Sequence, residues 1–257
     1  MTKPTPTYNT GLILKALAFA AHKHRDQRRK DVEASPYINH PIALADVLCN
    51  EGGITDENVL CAALLHDTVE DTETTPEELT HVFGKTISDL VMELTDDKDL
   101  PKAERKRLQI EHAAHASHQA KLVKLADKIC NLRDIVSHPP DGWDLKRKQA
   151  YFDWAKKVID KIRGTNVALE GIFDAIYDNG LAEMTNHDMI AFAVKKYRGK
   201  ILVTYQIKNI VLGAFPKFNE GSLLPNDHGF GNKRCCSCVG TERQIFDRIG
   251  QGKYLVR

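Results

Sequence analysis

Ala62-Ala63-Leu64-Leu65-His66-Asp67-Thr68-Val69-Glu70-Asp71-Thr72 is the stretch on which the reading of this chain turns. Its first half is apolar, and its second half carries His66, Asp67, Glu70 and Asp71. Glu57 to Cys61 supply further helix formers, so the pattern predicts one helix from Asp56 to about Asp71. At 3.6 residues per turn, His66 then lies over Glu70 and Asp67 over Asp71. Carboxylates that close raise one another's pKa unless a cation lies between them, and a metal is the simplest cation. A solvated acidic helix end is the bland alternative and the commoner origin of charge runs. Against it, these acids directly follow a run that must be buried. They also sit at a helix C-terminus, where the dipole favours cations.

The surrounding composition is that of an ordinary globular chain: 257 residues, 42% hydrophobic, 28% charged, net charge +1. That balance generates no field for bulk binding to nucleic acid or to an anionic membrane. No apolar run reaches membrane-spanning length. Met1 to Asn9 is polar and proline-containing, without the apolar core of a signal peptide, so a cytoplasmic location is expected. Cys49, Cys61 and Cys130 fall singly in apolar helical patterns, as small hydrophobes do. Cys235, Cys236 and Cys238 cluster without partners at zinc-site spacing, and no structural zinc is expected there.

Working outward, helix signals dominate up to Gly180. Thr10 can cap a helix through Leu14, Leu17 and Ala21, and a basic loop, His24 to Ala34, follows it. Pro41 suits the first turn of the next helix, which Gly52-Gly53 ends. Thr75-Pro76-Glu77-Glu78 is a capping box with proline at the first helical position. Ile87, Leu90, Val91 and Leu94 repeat at helical spacing, and Pro101 starts a strongly charged helix. In the helix expected over Ser117 to Val136, Leu122, Leu125, Ile129 and Leu132 form the apolar stripe. Lys124, Asp127, Asn131 and Asp134 lie on another face, where Asp127 matters only if it meets the acidic helix in space. Further helices are expected from Trp143 to Arg163, and from a Thr165 cap to a stop at Gly180. The expected fold is therefore all-α, a bundle of about eight or more helices over residues 1–180. Residues 181–257 form a C-terminal tail of uncertain order and unknown role. Within it Ile201 to Ile207 favours a strand.

Several motifs occur together in order: Gln27-Arg28-Arg29-Lys30, Pro36-Tyr37-Ile38-Asn39-His40-Pro41, His66-Asp67-Thr68-Val69-Glu70-Asp71-Thr72, and Lys124-Leu125-Ala126-Asp127-Lys128 through Arg133. In this combination the chain resembles the HD superfamily of metal-dependent phosphohydrolases, and within it the hydrolase domain of RelA/SpoT proteins. Thr95-Asp96-Asp97-Lys98, Leu100-Pro101-Lys102 and Tyr151-Phe152-Asp153-Trp154-Ala155 are similar to the stand-alone animal members. The resemblance spans about Leu12 to Gly180. It implies an HD-domain helical fold, with His40, His66, Asp67 and Asp127 as metal ligands and Mn²⁺ as the metal. Ligand type alone leaves Zn²⁺ and Fe²⁺ open. It also implies Glu70 and Asp71 as the catalytic pair that deprotonates and orients water, the two jobs being undivided between them. Arg29, Lys30, Lys102 and Arg147 become phosphate contacts by the same resemblance, and Asn131 and Tyr151 nucleoside contacts.

The implied reaction is hydrolysis of the 3′-pyrophosphate of guanosine 3′,5′-bis(diphosphate), ppGpp, with NADPH 2′-phosphatase activity alongside it. No nucleic-acid or membrane partner is implied, and self-association is left open. Three other readings compete: an HD-type nucleotidase or phosphodiesterase of other specificity, a catalytically silent nucleotide sensor, and a helical scaffold. The Glu-Asp pair and the Arg-Arg-Lys loop argue against the first. A sensor should have lost a ligand or the pair, and this chain keeps them; the same constellation disfavours a scaffold.

Overall fold

A computed structural model describes residues 9–216, 223 and 245–257, with backbone alone at 145 and 181–188. Met1 to Tyr8 and the cluster Cys235, Cys236 and Cys238 lie outside the described residues. The described chain is helical, with one small sheet near its C-terminus.

The central element is α3, Glu57–Leu65, in which every residue from Val59 to Leu65 is buried. A short helix that is apolar all round has no solvent face to offer, so other helices surround it. Asp56 caps it by accepting from the Asn58 N–H at 2.9 Å. Around it pack α1 (Thr10–Lys23), α2 (Asn39–Asp46), α6 (Lys85–Leu94) and α8 (His118–Ser137). α4 (Thr68–Asp71) follows α3, α5 (Pro76–Phe83) pairs with α6, and α7 (Lys102–Ala113) pairs with α9 (Leu145–Ile159). α10 (Val167–Val194) lies along α8. One core cluster joins α2, α3, α8, α9 and α10, and a second joins α1, α3, α5 and α6. The ends of α2 and α3 and the middle of α8 thereby meet.

Several expected boundaries move. Asn9 rather than Thr10 caps α1, accepting from the Leu12 N–H. Asn166 rather than Thr165 caps α10, and α9 ends at Ile159, short of Arg163. The helix expected from Asp56 to Asp71 breaks at His66 and Asp67: Asp67 sits at φ −98°, ψ 0°, and the Thr68 hydroxyl donates to the Leu65 carbonyl at 2.7 Å.

Gly180 does not stop α10. A Cβ there would lie 2.8 Å from Val136 Cγ2 and 3.4 Å from Phe152 Cε1, so the glycine permits close approach of α10 to α8 and α9. α10 runs on to Val194, and the proposed boundary at residue 180 falls within a continuous helix. Beyond it come β1 (Ile201–Val203), α11 (Thr204–Ala214), β2 (Phe246–Gly250) and β3 (Lys253–Val256). The strands form an antiparallel sheet in the order β1-β3-β2, with Leu202 opposite Tyr254. The strand expected over Ile201 to Ile207 ends at Val203, where the Gln206 side chain accepts the Val203 N–H at 3.0 Å and α11 begins. This region has its own core of Ile190, Leu202, Ile207, Val211, Phe246 and Tyr254.

Candidate active site

His40 enters on the first turn of α2, and His66 and Asp67 occupy the break after α3. Asp127 comes from the middle of α8. Adjacent side chains on a regular helix diverge. The break at Asp67 instead brings its Oδ2 to 3.0 Å from His66 Nε2. One donor atom each from His40, His66 and Asp67 falls within a 4.8 Å group, and Asp127 Oδ1 lies 3.2 Å from His40 Nε2. The four residues named from the sequence as ligands are thus brought together across three elements.

This donor set fits a divalent cation. The Ala63 carbonyl lies 2.8 Å from His66 Nδ1 and must accept a proton from it, which leaves the Nε2 lone pair directed at the cluster. His40 and His66 are 4% and 8% exposed, and two carboxylates face them. Without a cation the acids hold a proton on the His66 imidazole. Burial disfavours the His66 imidazolium, yet Asp67 and Asp127 outweigh it and push the group up to about 9. Burial likewise works to raise the Asp67 carboxyl, but His66, His40 and the Tyr37 hydroxyl, which donates to it, hold it well below the usual range. Asp127 is also held low: Lys128 at 2.7 Å and His40 overcome its burial, and Asn131 donates to it at 2.6 Å.

The Glu-Asp pair stands beside this cluster, and its two members are held differently. Glu70 receives the Arg105 guanidinium at 3.2 Å and the Asp96 N–H at 3.4 Å. Its burial, with Asp67, Asp96 and Asp71 nearby, pushes its carboxyl up to about 7. Asp71 accepts from Gln27 Nε2 at 3.0 Å and from Lys98. Gln27 is fixed in turn by His24, whose Nδ1 lies 2.6 Å from Gln27 Oε1.

Asp71 also lines a cleft of about 640 Å³ that runs from His40 past Arg29, Lys30, Asn131 and Tyr151 to Trp143. Four of the expected substrate contacts therefore share one cavity wall. Arg29 is already paired with Asp134 and lies over the Tyr37 ring, whereas Lys30 has no acidic partner among the described residues. Lys102 and Arg147 lie outside the cleft lining. Arg147 covers the Trp143 ring at 4.5 Å and is close enough to lower the Lys102 ammonium, which burial lowers first.

Sequence reasoning did not single out Tyr37, Gln27, Lys98, Arg105 or Lys128. Tyr37 and Gln27 stand inside the motifs quoted above, and Arg105 is on the basic face of α7; their partners lie far along the chain.

Two buried histidines and two half-buried carboxylates at the meeting of three helices, with an acidic pair beside them, match a metal-dependent hydrolase of the HD type. Residues 16–151 match the HD domain family, and the chain belongs to it. Guanosine-3′,5′-bis(diphosphate) 3′-pyrophosphohydrolase MESH1 of Danio rerio is 60% identical over 162 residues, which cover 63% of this chain and 90% of that protein. The Homo sapiens protein of the same name is 60% identical over 158 residues, 62% of this chain and 88% of the relative. The solved structure of a metazoan ortholog of SpoT that hydrolyzes ppGpp and plays a role in starvation responses aligns with a TM-score of 0.66. It is 53% identical, and the alignment covers 68% of this chain and 99% of that one. No described helix is long and apolar enough to cross a membrane.

Proposed function

We propose that this chain hydrolyses guanosine 3′,5′-bis(diphosphate) to GDP and pyrophosphate. The observation that carries the reading is the junction of the His40, His66, Asp67 and Asp127 cluster with Glu70, Asp71 and a cleft of nucleotide size whose wall includes Arg28, Arg29 and Lys30. The names of the relatives supply the substrate class.

The four clustered residues would hold the cation: two imidazoles and two carboxylates suit a first-row divalent ion, and the family resemblance, rather than ligand type, selects Mn²⁺. When bound it supplies positive charge that acidifies water and polarises a phosphoryl oxygen. Glu70 takes the proton of the attacking water, a role its elevated pKa supports at neutral pH. Asp71, fixed by Gln27 and Lys98, accepts the other hydrogen and keeps the water in line with the phosphorus. A bond forms from the water oxygen to the phosphorus on the ribose 3′ oxygen, the P–O3′ bond breaks, and the 3′ oxygen takes a proton from solvent while Glu70 returns to solvent the one it took from the attacking water. Asn131 and Tyr151 hold the nucleoside, while Arg29, Lys30, Lys102 and Arg147 meet the phosphates. The catalytic unit extends past residue 180 to the end of α10 at Val194, with the segment beyond it outside the chemistry.

The test is product analysis with a panel of ppGpp, NADPH, and 3′- and 5′-mononucleotides. Pyrophosphate from ppGpp is the expected product, with phosphate from the NADPH 2′ position as a second activity. Cleavage confined to mononucleotides would replace this reading with a general nucleotidase.

A further inference from the structure

Most cations near the site have an acid at hand. Arg105 pairs with Glu70, Arg107 with Glu104 and Glu111, Arg133 with Glu51, and buried Lys128 with Asp127. Lys30 is an exception, and Lys106 is another. It is half-buried on α7 and forms no ion pair among the described residues. Its Nζ stands 4.4 Å from the Trp154 ring centroid and 5.1 Å from that of Tyr151. The Trp154 indole N–H donates to the Lys106 carbonyl at 3.0 Å, so main chain and ammonium are both fixed to one indole.

The groups around that ammonium repel it. Lys102 acts from its own helix, Lys128 from α8 and Arg147 from α9. Burial, followed by these three cations, pushes Lys106 down to about 8. A solvated helix lysine would extend into water instead. The two aromatic faces offset part of the cost of holding the charge here. An anion would relieve the rest, since a buried charge needs a partner. The carboxylates of the reaction centre, Asp67, Glu70 and Asp71, are not among the groups that set its protonation.

We infer that Lys106 is a further specificity-determining residue: with Lys102 and Arg147 it forms a shelf that takes the 5′-phosphates of the substrate, away from the 3′ phosphorus under attack. The inference rests on the reaction proposed above and assigns a second anchoring point for it. It also gives Tyr151 a double use, one ring holding the nucleoside on the cleft side and seating the Lys106 ammonium.

The test compares wild type, Lys106→Met and Lys106→Arg on ppGpp and on guanosine 3′-diphosphate with a free 5′-hydroxyl. Methionine keeps the apolar stem over Trp154, and arginine keeps the charge. Loss of a charged phosphate contact is worth about tenfold or more in binding. For Lys106→Met the KM for ppGpp should rise at least about tenfold with kcat within about twofold of wild type. With the 5′-hydroxyl substrate the gap between the two proteins should shrink to under about threefold. Lys106→Arg should recover most of the loss. As pH rises through about 8, wild-type kcat/KM for ppGpp should fall as Lys106 loses its proton, and Lys106→Arg should lack that component. Equal losses on both substrates, or an arginine variant no better than methionine, would overturn the inference. A wild-type protein that releases pyrophosphate from neither substrate would overturn the proposed reaction, and this assignment with it.

Discussion

Replacing Glu70 by Gln separates the base from everything else in the site. Glutamine keeps the side-chain length and one oxygen for the Arg105 guanidinium, which the Glu70 Oε1 accepts at 3.2 Å, and gives up the second acceptor, which takes the Asp96 N–H at 3.4 Å. The four clustered ligands are untouched, so bound metal should remain near one ion per chain. What disappears is a carboxylate poised at about 7 by burial and by Asp67, Asp96 and Asp71. A positioned base is worth ~10²–10⁴ in rate, or about 2.7–5.4 kcal/mol at ~1.36 kcal/mol per tenfold. With a pKa near 7 the base is about half ionised at pH 7 and about a tenth ionised at pH 6. A bound cation favours the ionised form and moves this acid limb to lower pH. Wild-type single-turnover pyrophosphate release should therefore rise with pH along a limb whose midpoint lies at or below about 7. Glu70→Gln should be slower by at least about a hundredfold and lack that limb. A variant within tenfold of wild type, or one retaining the same limb, would refute the assignment of the base.

Three further outcomes follow from the same structure. In the metal-free protein His66 is raised from 6.5 to about 9, so its stabilising share is fully present below pH 6.5 and is lost as pH rises towards 9. Thermal melts should fall across that window, and added Mn²⁺ should reverse the trend, because ligation requires neutral imidazole; a rising trend without metal would contradict the clustered geometry. Gly180→Ala gains ~1 kcal/mol of helix propensity but places a Cβ 2.8 Å from Val136, and overpacking costs ~1–3 kcal/mol, so a net loss of up to ~2 kcal/mol should appear in denaturant midpoints. Truncation after Val194, which spares α10 and removes the sheet, should retain metal and turnover; a folded but inactive product would put the tail in the site.

The helical core was readable because burial and the 3.6-residue period coincide, as in α3 and in the Leu122, Leu125, Ile129 and Leu132 stripe of α8. The site was readable mainly through a known combination of motifs. A regular helix through His66 and Asp67 would separate adjacent side chains, and the break that unites them depends on a local hydroxyl bond from Thr68. The holders of the acidic pair were hidden for another reason: Gln27 and Lys98 reach Asp71 across 44 and 27 positions, and no local pattern records such contacts. Gly180 shows the same limit. A glycine late in a helix pattern signals a stop or a close approach equally well, and only the neighbouring Val136 and Phe152 decide between them. The tail sheet pairs Ile201–Val203 with Lys253–Val256, strands whose union depends on the chain between them returning.

The central claim is that His40, His66, Asp67 and Asp127 hold one divalent cation on which hydrolysis depends. Its most direct test measures metal content and pyrophosphate release from ppGpp on the same preparations of wild type and Asp127→Ala. Chelated wild type should stop and recover when Mn²⁺ is restored, while Asp127→Ala should lack both the ion and the activity. Full turnover by Asp127→Ala, or by chelated wild type, would contradict it.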